Sequence, residues 1–445
     1  MSATTSTPTG HVGNLTSEQE EKLKKMWTSL YKIFNVIPDS DNSATTAATV
    51  TATKETEKGE KEKGKKRSLF SRKSKDTSET AAAPAEGEDK YGQTKLFQET
   101  LQKESPEDLR NTLWAMVKHD DPDSLMLRFL RARKWDVEKA LVMLISTISW
   151  RKSEMNLDGD IMLNGEAAAI EDSINGTGAT KTTGEGVMEQ IRMGKAFFHG
   201  CDKDSRPLCH VRVRFHHQGD QTDAAQERNT VFLIETARMM LRPPVETATI
   251  IFDMTGFSIS NMDYTPIKFM IKCFEANYPE CLGAVLVYKA PWVFQGFWKI
   301  IRGWLDPVVA NKIHFVNNVK DLTAFVPEKH IIKELDGPED WEYKYVEPVP
   351  GENDLMKDTA ARDKIQAERE EYYTQYEQTT IRWIKGDANA AAQRQEVKMK
   401  LRDNYWVLDP YIRARSLYDR IGVLRPGGEM NYYPDTTPVQ PTPNS

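Results

Sequence analysis

Cysteine is scarce in this chain: only Cys201, Cys209, Cys273 and Cys281 occur among 445 residues. None forms a CxxC pair and no Cys/His grouping has zinc-finger spacing, which argues against a disulfide scaffold or a structural zinc site. So few cysteines fit a reducing, cytoplasmic setting. Long apolar runs are lacking too, since no uninterrupted stretch approaches the ~18 residues of a membrane span. The opening MSATTSTPTGHVGN has neither a basic n-region nor an apolar h-region and does not read as a signal peptide. Membrane contact is therefore expected to be peripheral. A strong bulk charge is also missing; the net charge of −6 gives no reason to expect a nucleic-acid partner.

The usual catalytic signatures are absent as well. There is no GxSxG elbow, no GxxxxGK[ST] loop, no GxGxxG after a strand and no HExxH. Asp253 ends a buried strand, where an α/β enzyme often carries a catalytic group, yet no His is near it in sequence. An Asp there also serves simply to cap the following turn. The sequence therefore predicts a protein that is not an enzyme and that needs no cofactor or metal.

What is present divides into six stretches. Residues 1–37 hold a short amphipathic helix with Leu23, Met26, Trp27, Leu30, Ile33 and Phe34 on one stripe. Residues 38–90 are Thr, Ser, Ala, Glu and Lys with few apolar side chains, a composition that cannot offset its ordering entropy and predicts a disordered linker. Inside it lies the basic run KKRSLFSRKSK at 65–75, read either as a patch for anionic lipid or as a solvated linker. Residues 91–154 predict a helical lobe, with helices over 107–118 and 124–134, the second capped by Asp123 or Ser124. A third is capped by Asp136 and carries Val137, Ala140, Leu141, Leu144, Ile145 and Ile148 on one face.

Residues 155–194, rich in Gly, Asn, Asp and Thr, predict a long mobile linker. From 195 to 340 strands and helices alternate. Strands are expected at 210–216, 247–254, 284–290 and 312–316, with helices over 224–241, after Pro266, and near 328–335 up to Gly337. Near-continuous apolar strands alternating with helices predict an α/β fold with a mixed, largely parallel sheet. Residues 341–445 are a charged, helix-prone extension with a proline-rich tail.

One segment stands out, APWVFQGFWKIIRGWLDPVVANKI at 290–313. Phe294, Phe297, Trp298, Ile301, Trp304 and Leu305 recur at helical spacing, while Gln295, Lys299 and Arg302 fall opposite. Such a stripe fits a core helix. It also fits an interfacial helix that lines a cavity and touches bilayer, a reading that the flanking Trp292 and the glycines Gly296 and Gly303 favour.

These residues resemble a known family. DPDSLMLRFLRARKWDVEKALVMLISTISWRK looks like the N-terminal helical module of CRAL-TRIO proteins. GCDKDSRPL, IIFDMTGFSIS, ANYPECLG and the KAPW segment, in that order, resemble their lipid-binding domain. Within the family the chain is most similar to fungal phosphatidylinositol transfer proteins of the branch without phosphatidylcholine exchange. The resemblance implies a helical lobe, a sheet forming a pocket floor and a mobile gate helix over it. It implies non-enzymatic binding and transfer of phosphatidylinositol, a phospholipid ligand, and peripheral attachment to endoplasmic reticulum, endosomal or other membranes.

The same resemblance implies headgroup contacts from Arg133, Lys134, Glu280 and Lys312, and a gate and pocket built from Trp292, Phe294, Phe297, Trp298, Ile301, Trp304 and Leu305. Many members carry Ser and Thr where this chain has Ala248 and Ile250, and Thr where it has Val309. Those departures argue against phosphatidylcholine. A monomer is expected. Other readings remain open: a lipid-sensing scaffold for a lipid kinase or phospholipase, a carrier of a sterol or isoprenoid, or a lipid hydrolase.

Overall fold

The computed structural model describes residues 7–38 and 89–434. The predicted linker up to residue 88, its basic run at 65–75 and the end of the proline-rich tail lie outside the described residues. Five strands form one sheet in sequential order: β1 (Ala196–Cys201), β2 (Pro207–Arg212), β3 (Ala248–Asp253), β4 (Leu282–Tyr288) and β5 (Ile313–Val316). β1 runs antiparallel to β2 and the other pairs are parallel, giving the mixed α/β sheet that the alternation predicts.

Period-two alternation sorts the side chains of this sheet. Cys209, Val211, Ile250, Phe252, Val285, Val287 and Ile313 line a cavity on one face. Leu208, Ile251, Ala284, Leu286, Tyr288 and Val316 pack on the other with Leu322, Val326 and Ile331. β1 escaped the sequence reading because its apolar run is only AFF and its ladder bulges after Phe198. The strand expected at 210–216 stops at Arg212 and tightens into a 3₁₀ turn over Val213–Phe215. The turn lets Arg214 reach Glu334 and the Asp253 carboxylate, the latter at 2.6 Å. Asp253 also accepts from the Thr255 amide at 3.0 Å and so caps the turn that follows β3.

The helical lobe contains α1 (Ser17–Ile33), α2 (Gln93–Lys103), α3 (Pro106–Val117), α4 (Pro122–Ala132) and α5 (Val137–Ser149). Thr16 and Gln19 form a capping box on α1, and Asp136 caps α5 through the Lys139 amide. The cap of α4 is Asp121, whose side chain accepts from the amides of Asp123 and Ser124, with Pro122 in the first turn. Asp123 is not a cap. It is buried, and accepts from Trp27 Nε1 at 2.8 Å, Tyr376 Oη at 2.8 Å, Arg394 Nη2 at 2.7 Å and Lys398 Nζ at 2.7 Å.

The stretch 155–194 is not a mobile linker. It folds into a π turn followed by α6 (Met162–Asn175) and α7 (Gly178–Arg192), against which α8 (Asp223–Met240) packs. The glycines that suggested flexibility serve close packing instead. A Cβ at Gly184 would lie 2.8 Å from the Ala169 carbonyl oxygen, and one at Gly186 would lie 3.0 Å from Ala225 Cβ.

α9 (Thr265–Lys272), α10 (Phe294–Arg302), α11 (Pro307–Ala310) and α12 (Val319–Leu322) complete the sheet domain. The helix expected at 328–335 is two 3₁₀ turns, Glu328–His330 and Lys333–Leu335. The chain turns at Asp336 (φ +61°) rather than at Gly337, where a Cβ would collide with the Ile331 carbonyl.

α13 (Thr359–Ile384), α14 (Ala390–Ile412) and α15 (Leu417–Arg420) form the C-terminal extension. It is woven into both parts of the molecule. Tyr373, Tyr376, Val397 and Leu401 enter the lobe core with Trp27 and Trp114. Tyr405, Tyr418, Val423 and Leu424 join the core beside the sheet, where Tyr418 Oη accepts from the Phe198 amide at 2.9 Å. No helix among the described residues is long and apolar enough to cross a membrane.

Two buried histidines set an acid limit on this fold. Burial pushes His119 down to about 4 and His210 down to about 3. Their folded pKa values lie below that of the unfolded chain, so their contribution is present above about pH 6.5 and is lost as pH falls. Each loses about 1.4 kcal/mol per pH unit below that point. Urea melts at pH 7 and pH 5 should therefore differ by on the order of 4 kcal/mol. Equal stabilities at the two pH values would contradict the buried, neutral assignment.

Candidate functional site

A cavity of about 270 Å³ lies between the sheet and α8, α9 and α10. Its floor is the apolar face of β2–β5. Leu233 and Ile234 of α8, and Ile267, Met270 and Ile271 of α9, form its walls. The roof is α10, contributing Phe294, Phe297, Trp298 and Ile301, with Leu305 just beyond the helix. Phe294, Phe297 and Ile301 are buried, whereas Gln295, Lys299, Ile300 and Arg302 are exposed on the opposite side. The helix is therefore amphipathic, as its spacing predicts.

Its aromatic contacts are specific. Phe297 stacks on Tyr264 with centroids 4.5 Å apart, Phe294 meets Phe257 at 5.6 Å, and Trp298 meets Phe315 at 5.2 Å. Trp304 packs on Tyr264 rather than lining the cavity. Trp292 also stands outside it, 86% exposed, two residues before the helix begins. Gly296 lies within α10 with no atom near its missing Cβ. Gly303 is the C-cap with an ordinary helical φ of −69°, so only one of the two glycines lies inside the helix.

The far end of α10 is tied down. Lys90 Nζ donates to the Trp304 carbonyl and to Glu275 Oε2, each at 2.6 Å, and Tyr91 Oη donates to Glu275 Oε2 at 2.6 Å. Glu275 Oε1 accepts from the Asp306 amide at 2.7 Å. The segment around residue 90 thus clasps the loop after α10 to α9's π-helical continuation, Cys273–Asn277.

The four charged residues singled out in the sequence separate into two groups. Glu280 and Lys312 come together, with Oε2 and Nζ 3.8 Å apart and both side chains partly open to solvent. Glu280 lies two residues before β4 and Lys312 immediately before β5, whose first residues Leu282 and Ile313 line the cavity. Glu280 has φ +56°, an uncommon backbone state for a non-glycine residue. Arg133 sits with the clasp instead. It donates to Gln93 Oε1 at 2.8 Å and faces Asp306, Asp89 and Glu275, while burial pulls its pKa down. Lys134 is exposed on the turn after α4 with φ +50°. Arg131, which sequence reasoning passed over, has Glu280 among its charged neighbours and donates to Glu246 at 3.0 Å. Ile250 and Val309, two of the departures, line the cavity.

Sequence reasoning also missed a polar end of the cavity. Lys195 Nζ donates to His216 Nδ1 at 2.9 Å and to Gln221 Oε1 at 2.7 Å, and His216 Nε2 donates to Asp263 Oδ2 at 3.2 Å. Burial pushes Lys195 down to about 8 and His216 below its usual value. Gln190, Gln226, Asn229 and Asn261 also line this end. These residues are scattered from 190 to 263 and have no common spacing, so nothing in the sequence gathers them.

An apolar cavity under an amphipathic helix, with a charged pair beside one end, suits an amphiphile. Comparison with known proteins gives the class. The chain belongs to the CRAL-TRIO family: the model for the CRAL/TRIO domain matches residues 191–337, and that for the CRAL/TRIO N-terminal domain matches 93–146. A CRAL-TRIO domain-containing protein of Schizosaccharomyces pombe is 43% identical over 425 residues, covering 94% of this chain and 93% of that protein. The phosphatidylinositol transfer protein CSR1 of Eremothecium gossypii is 37% identical over 447 residues, covering 94% of this chain and 98% of that protein. Among solved structures, the crystal structure of Sfh5 overlaps with a TM-score of 0.35 at 17% identity, over 51% of this chain and 71% of that one.

Proposed function

We propose that this protein binds phosphatidylinositol and moves it between membranes without altering it chemically. The observation that carries this reading is the apolar cavity beneath α10 with the open Glu280–Lys312 pair beside it. The name of the Eremothecium gossypii relative supports the same ligand. In this reading Glu280 and Lys312 receive the inositol phosphate head, and Arg133 and Lys134 add positive charge at the junction of lobe and sheet. The diacyl chains lie in the cavity. About 30 chain methylenes at ~0.8 kcal/mol each put the cost of unaided exposure on the order of 20 kcal/mol. A carrier removes that barrier by matching the chains with an apolar lining, and no catalytic group is needed.

At about 270 Å³ the cavity falls just below the usual range for small-molecule sites, so two acyl chains require α10 to move. Its buried face exchanges lipid chains for the bilayer interface as it opens, so apolar area stays sheltered in both states. Exposed Trp292, Ile300, Lys299 and Arg302 suit contact with an anionic cytoplasmic leaflet. The protein then works peripherally, at endoplasmic reticulum, endosomal or other membranes, as a monomer.

Vesicle-to-vesicle assays with radiolabelled lipids test the headgroup. Phosphatidylinositol should transfer at least tenfold faster than phosphatidylcholine, because Ala248 and Ile250 offer no hydroxyl to a phosphocholine phosphate. Equal rates would defeat the proposal. The gate is tested by Trp298→Asp, a half-buried position. Transfer should fall at least tenfold while the melting temperature moves by only a few degrees. If α10 were ordinary core, the substitution would cost well above ~3 kcal/mol and the protein would not stay soluble.

A further inference from the structure

Two kinds of contact hold α10 over the cavity. Phe294, Phe297, Trp298 and Ile301 pack into it, and lipid chains or bilayer can replace those apolar contacts at little cost. No side chain of α10 forms a hydrogen bond or ion pair with another described residue. Polar ties begin only past its C-cap. There Lys90 Nζ donates to the Trp304 carbonyl at 2.6 Å, and the Asp306 amide donates to Glu275 Oε1 at 2.7 Å. An apolar surrounding offers these groups no replacement partner, so they are the contacts a departing helix must break at a cost.

The donors come from a strap that is itself fixed. Residues 89–91 lie just before α2, and the Asp89 carboxylate accepts from the first two amides of that helix, Gln93 and Thr94, each at 2.6 Å. Behind them, Ser146 Oγ of α5 donates to the Gln93 carbonyl at 2.8 Å, and Gln93 Nε2 donates to the Ala276 carbonyl at 3.1 Å. The strap thus stands on the helical lobe, while the loop it holds belongs to the sheet domain.

Glu275 joins the two. Its Oε2 accepts from Lys90 Nζ and Tyr91 Oη, each at 2.6 Å, and its Oε1 takes the Asp306 amide. The Glu275 side chain is only 7% exposed and that of Lys90 34%, so the pair is screened less than one on the open surface. Burial and the hydrogen bond to Glu275 push the Tyr91 hydroxyl far above its usual range, so it remains a donor around neutral pH. One carboxylate therefore gathers two donors from the strap and one from the loop after α10.

We propose that Lys90 and Tyr91 form a latch that keeps α10 closed. Lipid enters or leaves only after both release Glu275 and Lys90 releases the Trp304 carbonyl. The latch rests on the reading of α10 as the moving element and not on which lipid is carried. The test is hydrogen exchange, read by mass spectrometry on the full chain, with Lys90→Met and Tyr91→Phe combined in one variant. Both substitutions keep the bulk of the side chain and remove its donor. Amides of residues 294–306 should exchange about tenfold faster in the double variant, the effect of losing a charge-assisted bond. Each single substitution should give part of that increase. β3, β4 and α5 should keep their protection, and the melting temperature should move by only a few degrees.

Unchanged exchange at 294–306 would overturn the latch, and if phosphatidylinositol transfer persisted in the same protein the carrier reading would stand. Protection lost evenly across the lobe and the sheet would overturn it too, since the strap would then be ordinary packing. Faster exchange confined to 294–306 in a protein that transfers no phosphatidylinositol would sink the earlier reading and leave the latch standing.

Discussion

Replacing Glu280 and Lys312 together by alanine should abolish phosphatidylinositol transfer and leave the protein folded. The two side chains form a loose ion pair, 3.8 Å apart and partly exposed. Such a pair contributes only about 0–1 kcal/mol to stability, so melting should shift by no more than a few degrees. Its value lies in the ligand. Charge-assisted hydrogen bonds to an inositol phosphate contribute about 1.5–3 kcal/mol each, and losing both should cut transfer at least ~100-fold. The left-handed backbone of Glu280 points the same way, since uncommon φ values persist where the surroundings hold a side chain for a purpose. A double variant that transfers within twofold of the unaltered protein would remove these residues from the site.

Asp123→Ala should have the largest effect on stability. The Asp123 carboxylate binds Lys398 and Arg394 of α14, Tyr376 of α13 and Trp27 of α1. Burial alone would raise its pKa, but Lys398 and Arg394 outweigh burial and hold it well below the usual carboxylate range. Removing it leaves two buried cations facing no charge except Asp121, which is 3.0 Å from Lys398. Breaking a buried pair in this way costs about 3–5 kcal/mol, or a fall in melting temperature on the order of 10 °C. The loss should appear first as faster hydrogen exchange in α1 and α14, both of which bind this carboxylate. A variant within ~1 kcal/mol of the unaltered protein would show that the extension docks by apolar packing alone.

Asp123 also marks the boundary of what sequence reasoning reached. At the head of a helix an Asp reads as a cap. Its actual partners, Arg394 and Lys398, lie more than 270 residues away, and no local pattern announces them. Elements written in local periodicity were legible: the stripe of α10, the face of α5 and the buried strands β3 and β4. Gly184 and Gly186 were misread because a glycine that permits close helix packing looks, in one dimension, like a glycine that loosens a linker. The site divides in the same way. Glu280 and Lys312 could be singled out because each belongs to a motif shared with a family. Lys195, Asn229 and Asp263 belong to none, and only the fold brings them to one end of the cavity.

If the cavity carries phosphatidylinositol, that lipid should travel with the protein and can be identified there. Full-length protein purified without detergent should be extracted and its lipids quantified by mass spectrometry. Phosphatidylinositol should be recovered close to one per chain, well above its share of the surrounding membranes, and should vanish from the Glu280→Ala, Lys312→Ala variant. Recovery of phosphatidylcholine in its place, or equal recovery of phosphatidylinositol from the variant, would contradict the account.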